Sequence, residues 1–453
     1  MTAACPYAQA ERPPPAPVPP ERDLPLLELI GRLRTNALAA WPRRAYEDLL
    51  LHRRCLGVDT YLVNDPREAR AVLAADVDDY ERPLGFRRLY QPIFGGGLLL
   101  AEGCEWRRRR KRLAPGLTPR SVRGMIPRFR AVAKRLCDRL VDGEPANLSR
   151  MFQDAAIDAV GRAAFSMSLD RLRDEISEFR SEYFTRGAKV SILDHLATRE
   201  SDFFLDRGVR GHRGRLGRSI VARLLLARDA DRERSDDPDL VDLIRRDSTA
   251  DQSEQIDEMA TLLGTGFDTS GRAMFWSAYL LSRRPDLQAR IRAEVLAYPP
   301  ERVTDLNDLD HWPWLRRCVL EALRLYPPLQ SMMRVPRRDV VICGREVRAG
   351  SYVAISPWVM HRHRRLWDEP EHFRPERFGP DLATALRTPA FMPFGAGRRL
   401  CIGSTFALTE VTLVLAEMFG RFRVSLPENA PVTPMSVVTT APDREPLFRI
   451  DPG

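Results

Sequence analysis

The amino-acid sequence predicts a mainly α-helical protein with small β-sheets. Long segments carry apolar residues at helical spacing, whereas stretches of alternating apolar and polar residues are few and short. One short run, Val340-Val341-Ile342, precedes a turn signal at Cys343-Gly344 and is predicted to be a strand. Beyond its proline-rich opening, the 453-residue chain has no Gly/Ser linker or repeat. We therefore expect one large domain over residues 23–453.

The first 22 residues differ in composition from the rest of the chain. Proline occupies most positions between Arg12 and Glu21, which favours an extended polyproline conformation. We predict that residues 1–22 form a flexible lead-in. Because this opening lacks an apolar core segment and no run of 18 apolar residues follows, we expect neither a secretory signal nor a membrane anchor.

A helix is predicted across residues 259–270, where apolar residues recur at helical spacing. A mid-helix glycine costs about 1 kcal/mol relative to alanine, so we expect something to approach the backbone closely at Gly266. Thr269 lies on the same flank as Leu262, while Asp268 is rotated by roughly 100°. An alcohol beside a ligand with an acid behind it can relay protons. The alternative is a solvent-facing stretch where these residues occur by composition.

Glu321 and Arg324 lie one helical turn apart, after an apolar-periodic stretch and before the helix break at Pro327-Pro328. Taken alone, such a pair is usually a surface ion pair worth less than about 1 kcal/mol.

The stretch from Phe394 to Gly403 places one cysteine, Cys401, among glycines and cationic residues. Glycines carry no side chain that would keep a large planar ligand away from the sulfur. A helix is predicted over 402–419, so the sulfur should lie near a helix N-terminus, which favours a thiolate. Thiolate ligation of haem iron favours O–O cleavage and so indicates oxygen activation. The alternative is an ordinary buried cysteine in a glycine-rich turn.

The pattern Phe-Gly-x-Gly-x-Arg-x-Cys-x-Gly at 394–403 resembles the haem-binding loop of the cytochromes P450. The segments Glu321-Ala322-Leu323-Arg324 and Phe373-Arg374-Pro375-Glu376-Arg377-Phe378 resemble further motifs of that family, in the same order. The resemblance covers roughly residue 23 to the end. It implies the family's triangular fold, a haem b cofactor (iron protoporphyrin IX) ligated by Cys401, and a monooxygenase that inserts one oxygen atom from O2 into an apolar organic molecule.

The resemblance also assigns roles outside the cysteine loop. Asp268 and Thr269 are implied to deliver protons during oxygen activation. A buried structural charge network is implied for Glu321, Arg324 and Arg377. One position departs from the family, which usually has alanine or glycine before Gly266. Thr265 stands there, and could narrow the oxygen pocket or add a hydroxyl to it.

Haem carries two propionates, and the planar fork of arginine suits carboxylates. The segment from Trp106 to Arg110 resembles the family's Trp-x-x-x-Arg helix, in which both residues face the haem edge. The residues implied to contact the cofactor are Cys401, Trp106, Arg110, Arg334, Arg399, Phe394, Gly395, Gly403 and Gly266.

By the same resemblance, the substrate pocket lies above the haem on the Thr269 side. It is expected to be bounded by residues 83–94, by the region 184–204 and by residues 438–440. The alternative for each residue is ordinary core packing. The predicted pocket residues are Leu262, Thr265, Leu329, Met332, Met333 and Val438.

The expected electron source is external, since the Rossmann and Walker glycine patterns are absent and no space remains for a fused flavin reductase. The resemblance implies a ferredoxin with its reductase, or a similar donor. With 71 Lys plus Arg against 62 Asp plus Glu, the net charge of +9 favours an acidic partner. Five cations are predicted to point away from the haem and to form part of the surface on which the electron donor docks: Arg107, Arg108, Arg109, Lys111 and Arg112. The alternatives are a solvated face or nucleic-acid binding, for which no motif is present.

The seven cysteines are scattered and odd in number, without a CxxC pair, so neither a disulfide framework nor a zinc site is expected. A reducing cytoplasmic location fits this usage. Two rival functions remain at this level: a haem-thiolate peroxygenase or isomerase that needs no external electrons, and a non-catalytic haem-binding sensor.

Overall fold

The computed structural model describes residues 13–55, 57–170, 174–176, 209–231, 239–246, 250–379, 381–426 and 432–453. Within them the prediction of a mainly helical protein with small sheets is confirmed. The region 184–204, predicted to border the substrate pocket, lies outside the described residues. The helices are α1 (Leu26–Thr35), α2 (Pro66–Ala74), α3 (Leu84–Phe94), α4 (Gly103–Leu113), α5 (Pro119–Cys137), α6 (Leu148–Ala159), α7 (Val209–Asp231), α8 (Leu240–Arg245), α9 (Gln252–Leu281), α10 (Pro285–Ala297), α11 (Pro313–Leu325), α12 (Pro357–Met360), α13 (Leu382–Arg387) and α14 (Ser404–Arg421).

The strands form small sheets at the edges of the helical body. The largest has the order β1-β2-β8-β5-β3, in which β2 and β8 run parallel and the other neighbours antiparallel. The remaining sheets have the orders β4-β12-β9, β6-β7 and β10-β11. The strands are β1 (Leu50–Cys55), β2 (Val58–Val63), β3 (Tyr80–Glu81), β4 (Pro145–Ala146), β5 (Met332–Pro336), β6 (Val340–Ile342), β7 (Arg345–Val347), β8 (Tyr352–Ile355), β9 (Phe422–Ser425), β10 (Pro434–Ser436), β11 (Thr440–Pro442) and β12 (Phe448–Pro452).

The predicted strand at 340–342 is present as β6, which pairs with β7 in a hairpin. Its two turn residues, Cys343 and Gly344, have φ values of +50° and +72°. Positive φ at both central positions matches the right-handed twist of the flanking strands, which explains the short connection.

Helix α9 is the central element, and it packs against α6, α11 and α14. The Asp251 carboxylate accepts a hydrogen bond from the backbone N–H of Glu254 and so caps its N-terminus. Its 30 residues span about 45 Å. Towards its C-terminus, Trp276 stacks on Tyr326 with ring centroids 4.0 Å apart. This packing fixes the helix that carries the predicted acid and alcohol.

Helix α14 begins at Ser404, two residues after the predicted start, and ends at Arg421. It is buried along most of its length and packs against α5, where the rings of Phe129 and Phe406 meet edge to face at 4.8 Å. Among the residues described, no helix is both long and apolar enough to cross a bilayer.

The described part of the N-terminal segment lies against the rest of the protein. The Tyr326 hydroxyl donates to the carbonyl of Pro15 at 2.8 Å, and the backbone N–H of Arg43 donates to the carbonyl of Pro20 at 2.8 Å. Residues 1–12 of the predicted flexible lead-in are outside the described residues, so its flexibility stays a prediction.

Glu321, Arg324 and Arg377 come together in the interior. Arg324 donates to both carboxylate oxygens of Glu321, at 2.7 and 2.8 Å, and Arg377 Nε donates to Glu321 Oε1 at 3.1 Å. The side chains of Glu321 and Arg324 are fully buried, so the surface-pair alternative is wrong. Arg324 also donates to the carbonyls of His361 and Pro370, which ties α11 to the segment that follows α12. A buried pair needs such extra partners to offset its desolvation.

Candidate active site

A cavity of about 730 Å³ lies between α9 and the loop that carries Cys401. This volume falls in the range of small-molecule binding sites. Away from the loop, the cavity continues past α3 and β5 to α1. All the residues predicted to contact the cofactor line it, as do Asp268, Thr269 and the six predicted pocket residues. Glu321, Arg324 and Arg377 are not among its lining residues.

The cysteine loop is fixed by glycine conformations and one backbone hydrogen bond. Gly395 and Gly397 have φ values of +75° and +68°, a region that side chains disfavour. A Cβ at Gly397 would lie 2.2 Å from the carbonyl oxygen of Leu73, so a larger residue cannot fit there. The backbone N–H of Cys401 donates to the carbonyl of Phe394 at 3.0 Å. The loop is therefore closed upon itself and packed on α2.

The Cys401 side chain opens to the cavity. Burial nevertheless raises the pKa of its thiol, and the backbone N–H of Gly403 and the charge of Arg110 oppose this shift only in part. Burial thus opposes the thiolate predicted at this helix N-terminus, and the thiolate stays a prediction for the metal-bound sulfur. The surrounding protein favours the neutral thiol, and metal coordination, which requires a thiolate, would supply the deprotonation.

Gly403 is not needed for packing within the described part of the chain, where no atom lies within 4 Å of a Cβ placed there. The space beside it belongs to the cavity. At Gly266, a Cβ would lie 2.9 Å from Cγ2 of Val160. The close approach predicted at Gly266 is thus made by a side chain at the end of α6.

Arginines surround one end of the cavity. Arg82 and Arg399 both pair with Glu102, Arg82 at 3.1 Å. Arg334 Nη1 donates to the carbonyl of Met333 at 2.9 Å. Burial, followed by the charge of Arg82, lowers the pKa of Arg334 to about 10 and that of Arg399 to about 9. Three half-buried cations thus lie near one carboxylate among the described residues, an imbalance that suits a ligand with two negative charges.

Two further contacts, one with an aromatic ring and one with the cysteine loop, orient the side chains at the arginine end of the cavity. The guanidinium of Arg399 lies over the ring of Trp106, 4.9 Å from its centroid. Arg110 Nη1 donates to the carbonyl of Leu400 at 2.8 Å. Helix α4 therefore holds Trp106 and Arg110 against the cysteine loop, as their shared helical face predicts. This chemistry fits a haem, with a sulfur for the iron and guanidinium groups for the propionates.

The predicted alcohol, Thr269, belongs to a row of threonines on α9. Each hydroxyl donates to the carbonyl four residues earlier: Thr269 to Thr265 at 2.8 Å, Thr265 to Thr261 at 2.6 Å, and Thr261 to Asp257 at 2.8 Å. The hydroxyl proton of Thr265 is thus directed along the helix. The Thr269 oxygen can still accept a hydrogen bond from the cavity.

The predicted acid, Asp268, is only 2% exposed, so the solvent-facing alternative is wrong. Its Oδ2 accepts a hydrogen bond from the Thr439 hydroxyl at 2.6 Å. Gln153 Nε2 and Arg272 Nε each lie 3.5 Å from Oδ1. The acid and the alcohol are adjacent in the chain, and both line the cavity.

The basic run on α4 faces acids of this chain rather than solvent. Arg109 pairs with Glu258 at 2.8 Å, and Arg112 pairs with Glu254 at 2.5 Å. Arg108 pairs with Glu254 at 2.8 Å. The prediction of a partner dock is wrong for Arg109 and Arg112, which are 9% and 7% exposed and join α4 to α9. Arg108 is 34% exposed, and its part in a dock stays a prediction. Of the other two members, Arg107 is exposed and pairs with Asp76 and Asp78, and Lys111 is exposed.

Sequence reasoning missed three residues near this site, Arg82, Glu102 and Glu410. Thr439 lies within the predicted boundary 438–440, but its contact with Asp268 was not predicted. Glu410 on α14 is fully buried, and burial raises its pKa to about 8, with the nearby Ser270 hydroxyl acting in the opposite direction. The charged residue within the apolar run of α14 was the one available signal. Arg82, Glu102 and Thr439 meet partners far away in the chain, which local patterns do not reveal.

The family model for Cytochrome P450 matches residues 44–446. The chain belongs to the cytochrome P450 family, whose cofactor is haem held by a thiolate. It is a monooxygenase of that family, an oxidoreductase class.

The chain is 26% identical over 422 residues to Protein LUTEIN DEFICIENT 5, chloroplastic, of Arabidopsis thaliana, covering 88% of this chain and 71% of that protein. It is 28% identical over 392 residues to Carotene epsilon-monooxygenase, chloroplastic, of the same organism, covering 81% and 72%. Its structure is similar to that of a 6-coordinated cytochrome P450 from Thermus thermophilus, with a TM-score of 0.67, 27% identity and coverage of 86% and 92%.

Glu410 predicts a pH dependence of stability. Its pKa in the folded protein, about 8, lies above the ordinary value of 4.5. The folded state therefore binds the extra proton between these values, and stability is lost as pH rises from 4.5 towards 8. Relative to Glu410→Gln, the native protein should lose up to about 5 kcal/mol of unfolding free energy across this window.

Denaturant unfolding of the haem-loaded proteins at several pH values measures this difference. Glu144→Gln, a change at an exposed carboxylate, is the matched control and should follow the native curve. If the difference in unfolding free energy between the native protein and Glu410→Gln does not change with pH, Glu410 does not retain its proton.

Proposed function

We propose that this protein hydroxylates or epoxidises an apolar organic substrate, inserting one oxygen atom from O2 with two electrons from a separate redox partner. The observation that carries the proposal is the shared cavity. It is lined by the sulfur of Cys401, by the alcohol of Thr269 and by an apolar wall.

The cofactor we propose is haem b, with Cys401 as the iron ligand. Bound haem would supply the reductive activation of O2. Trp106, Arg110, Arg334 and Arg399 would hold its propionates, which would balance the excess positive charge at that end of the cavity. Phe394, Gly395, Gly403 and Gly266 would border the ring.

Protons are managed by Asp268 and Thr269. Thr269 lines the cavity, and its hydroxyl donates to the helix carbonyl of Thr265. Because a hydroxyl rotates about its C–O bond, the same proton can also be given to a ligand in the cavity. Asp268, buried behind it, can restore that proton and take one in turn from the interior. An enzyme that used no external electrons would not need such an acid–alcohol pair.

The substrate we propose is a hydrocarbon-like molecule, such as an isoprenoid. Apolar and sulfur-containing side chains dominate the wall away from the arginines, and methionine adapts to irregular shapes. The relative named a carotene monooxygenase acts, by that name, on an unsaturated isoprenoid hydrocarbon. The wall includes Leu262, Leu329, Met332, Met333 and Val438, with Thr265 beside them.

The electron donor we propose is an acidic carrier such as a ferredoxin, in the cytoplasm. Lys111 and Arg398 are exposed near the cysteine loop and supply positive charge for such a carrier, whereas the charge of the exposed Arg107 is offset by Asp76 and Asp78. The cysteines at 104, 137, 318, 343 and 401 are free thiols, which supports a reducing compartment.

The carbon monoxide difference spectrum of the dithionite-reduced protein tests the axial ligand. We expect a strongly red-shifted Soret band, and its loss in Cys401→Ser. Cys104→Ser, at an exposed cysteine of α4, should retain the band. A red-shifted band that persists in Cys401→Ser would mean that another residue ligates the iron. A native protein without the band would favour the haem-sensor alternative.

The rate of haem release tests the assignment of Arg399 to a propionate, with variants at two adjacent arginines. Arg399→Gln should release haem to apomyoglobin at least about tenfold faster, because a charge-assisted hydrogen bond inside the protein is lost. Arg398→Gln should leave the rate unchanged, since Arg398 is exposed and its contact with Asp76 is 3.6 Å long. Equal rates for the two variants would contradict a propionate contact at Arg399.

Thr269→Ala tests proton delivery. The variant should bind haem and substrate normally, yet divert reducing equivalents to peroxide, so that product per electron pair falls at least about tenfold. Ser277→Ala is the matched control, because Ser277 makes the same hydrogen bond to its helix but is absent from the cavity lining among the described residues. Unchanged product yield in Thr269→Ala would remove Thr269 from the reaction.

A further inference from the structure

The carboxylate of Asp268 is held unevenly. Its Oδ2 receives the Thr439 hydroxyl at 2.6 Å, a normal length for an O–H donor. The neighbours of Oδ1, Gln153 Nε2 and Arg272 Nε, are both 3.5 Å away, at the limit of a hydrogen bond. Within the described residues, the one short contact of this buried acid therefore comes from Thr439.

Thr439 occupies a firmly anchored place in the chain. Its neighbour Thr440 donates through its side chain to the carbonyl of Pro327 at 2.6 Å and through its backbone N–H to that of Pro328 at 2.9 Å. The Thr440 carbonyl accepts the indole N–H of Trp276 at 2.8 Å. Because Thr440 already fixes the loop, the Thr439 hydroxyl is not required to hold it.

We propose that Thr439 is a positioning residue for proton delivery, which orients Asp268 by holding its Oδ2. This inference rests on the proposed function. With Oδ2 occupied, Oδ1 is the oxygen that exchanges the proton, since its own contacts are long. Loss of the donor would let the carboxylate rotate, and the proton would reach Thr269 less often.

The same segment contacts the substrate cavity. Val438, immediately before Thr439, is half-buried and lines the cavity wall. A substrate that packs against Val438 therefore acts on the segment that holds the acid. We expect the yield of product per electron pair to vary among substrates with the fit at Val438.

The first experiment measures the contact itself, without turnover. Thermal unfolding midpoints of the haem-loaded protein are compared for Thr439→Val, Asp268→Ala and the double variant. Thr439→Val should lower the midpoint in the native background and leave it unchanged when Asp268 is already absent, because the two side chains share one interaction. Equal shifts in both backgrounds would overturn the proposal.

The second experiment measures the consequence with a surrogate redox chain. In Thr439→Val, product per electron pair should fall about tenfold and the solvent isotope effect on product formation should rise. Thr439→Ser keeps the hydroxyl and should restore both. Thr440→Val, which loosens the loop but keeps the donor, should lower the unfolding midpoint without the larger isotope effect.

Two outcomes would overturn the proposal: native coupling in Thr439→Val, or a Thr439→Ser variant that behaves like Thr439→Val. If Thr440→Val reproduces the isotope effect, the loop position matters and the donor does not, which also overturns it. Failure of the proposed function is a separate result, since the native protein would then transfer no oxygen. The unfolding comparison would still decide whether Thr439 holds Asp268.

Discussion

The close approach of Gly397 to the carbonyl of Leu73 is the constraint on which the site depends. It seats the cysteine loop on α2, and the hydrogen bond from the Cys401 backbone to Phe394 then fixes where the sulfur enters the cavity. On the other side of the cavity, α9 is held by its packing against α6 and α14. The cavity between the sulfur and α9 is therefore bounded by packed elements on both sides.

Polar side chains of this site are oriented by neighbouring side chains. Arg399 is oriented by Trp106 and Glu102, and Asp268 by Thr439. Such support limits rotamer freedom at the reacting groups. It also concentrates buried charge, and each of these side chains is costly to leave unpaired.

The sequence predicted those features that are encoded locally. The hairpin at 340–342 and the cysteine loop are each set by neighbours in the chain, and helical spacing placed Trp106 and Arg110 on one face. The basic run was misjudged because its partners, Glu254 and Glu258, lie more than 140 residues away. No periodicity encodes such pairs, since any exposed helix face could carry the same arginines. At Cys401 a helix terminus favours charge whereas burial opposes it, and the depth of the sulfur within the protein is likewise not encoded locally.

Helix α1 contains no buried residue, yet Leu29, Ile30 and Leu33 line the far end of the cavity. The helix is followed by Asn36, which accepts hydrogen bonds from the backbones of Leu38 and Ser436 and so pins the chain where the helix stops. An element with little buried surface detaches at a free-energy cost well below that of global unfolding. Helix α1 thus covers the far end of the apolar cavity with few buried contacts, and it should detach more readily than the core around α9.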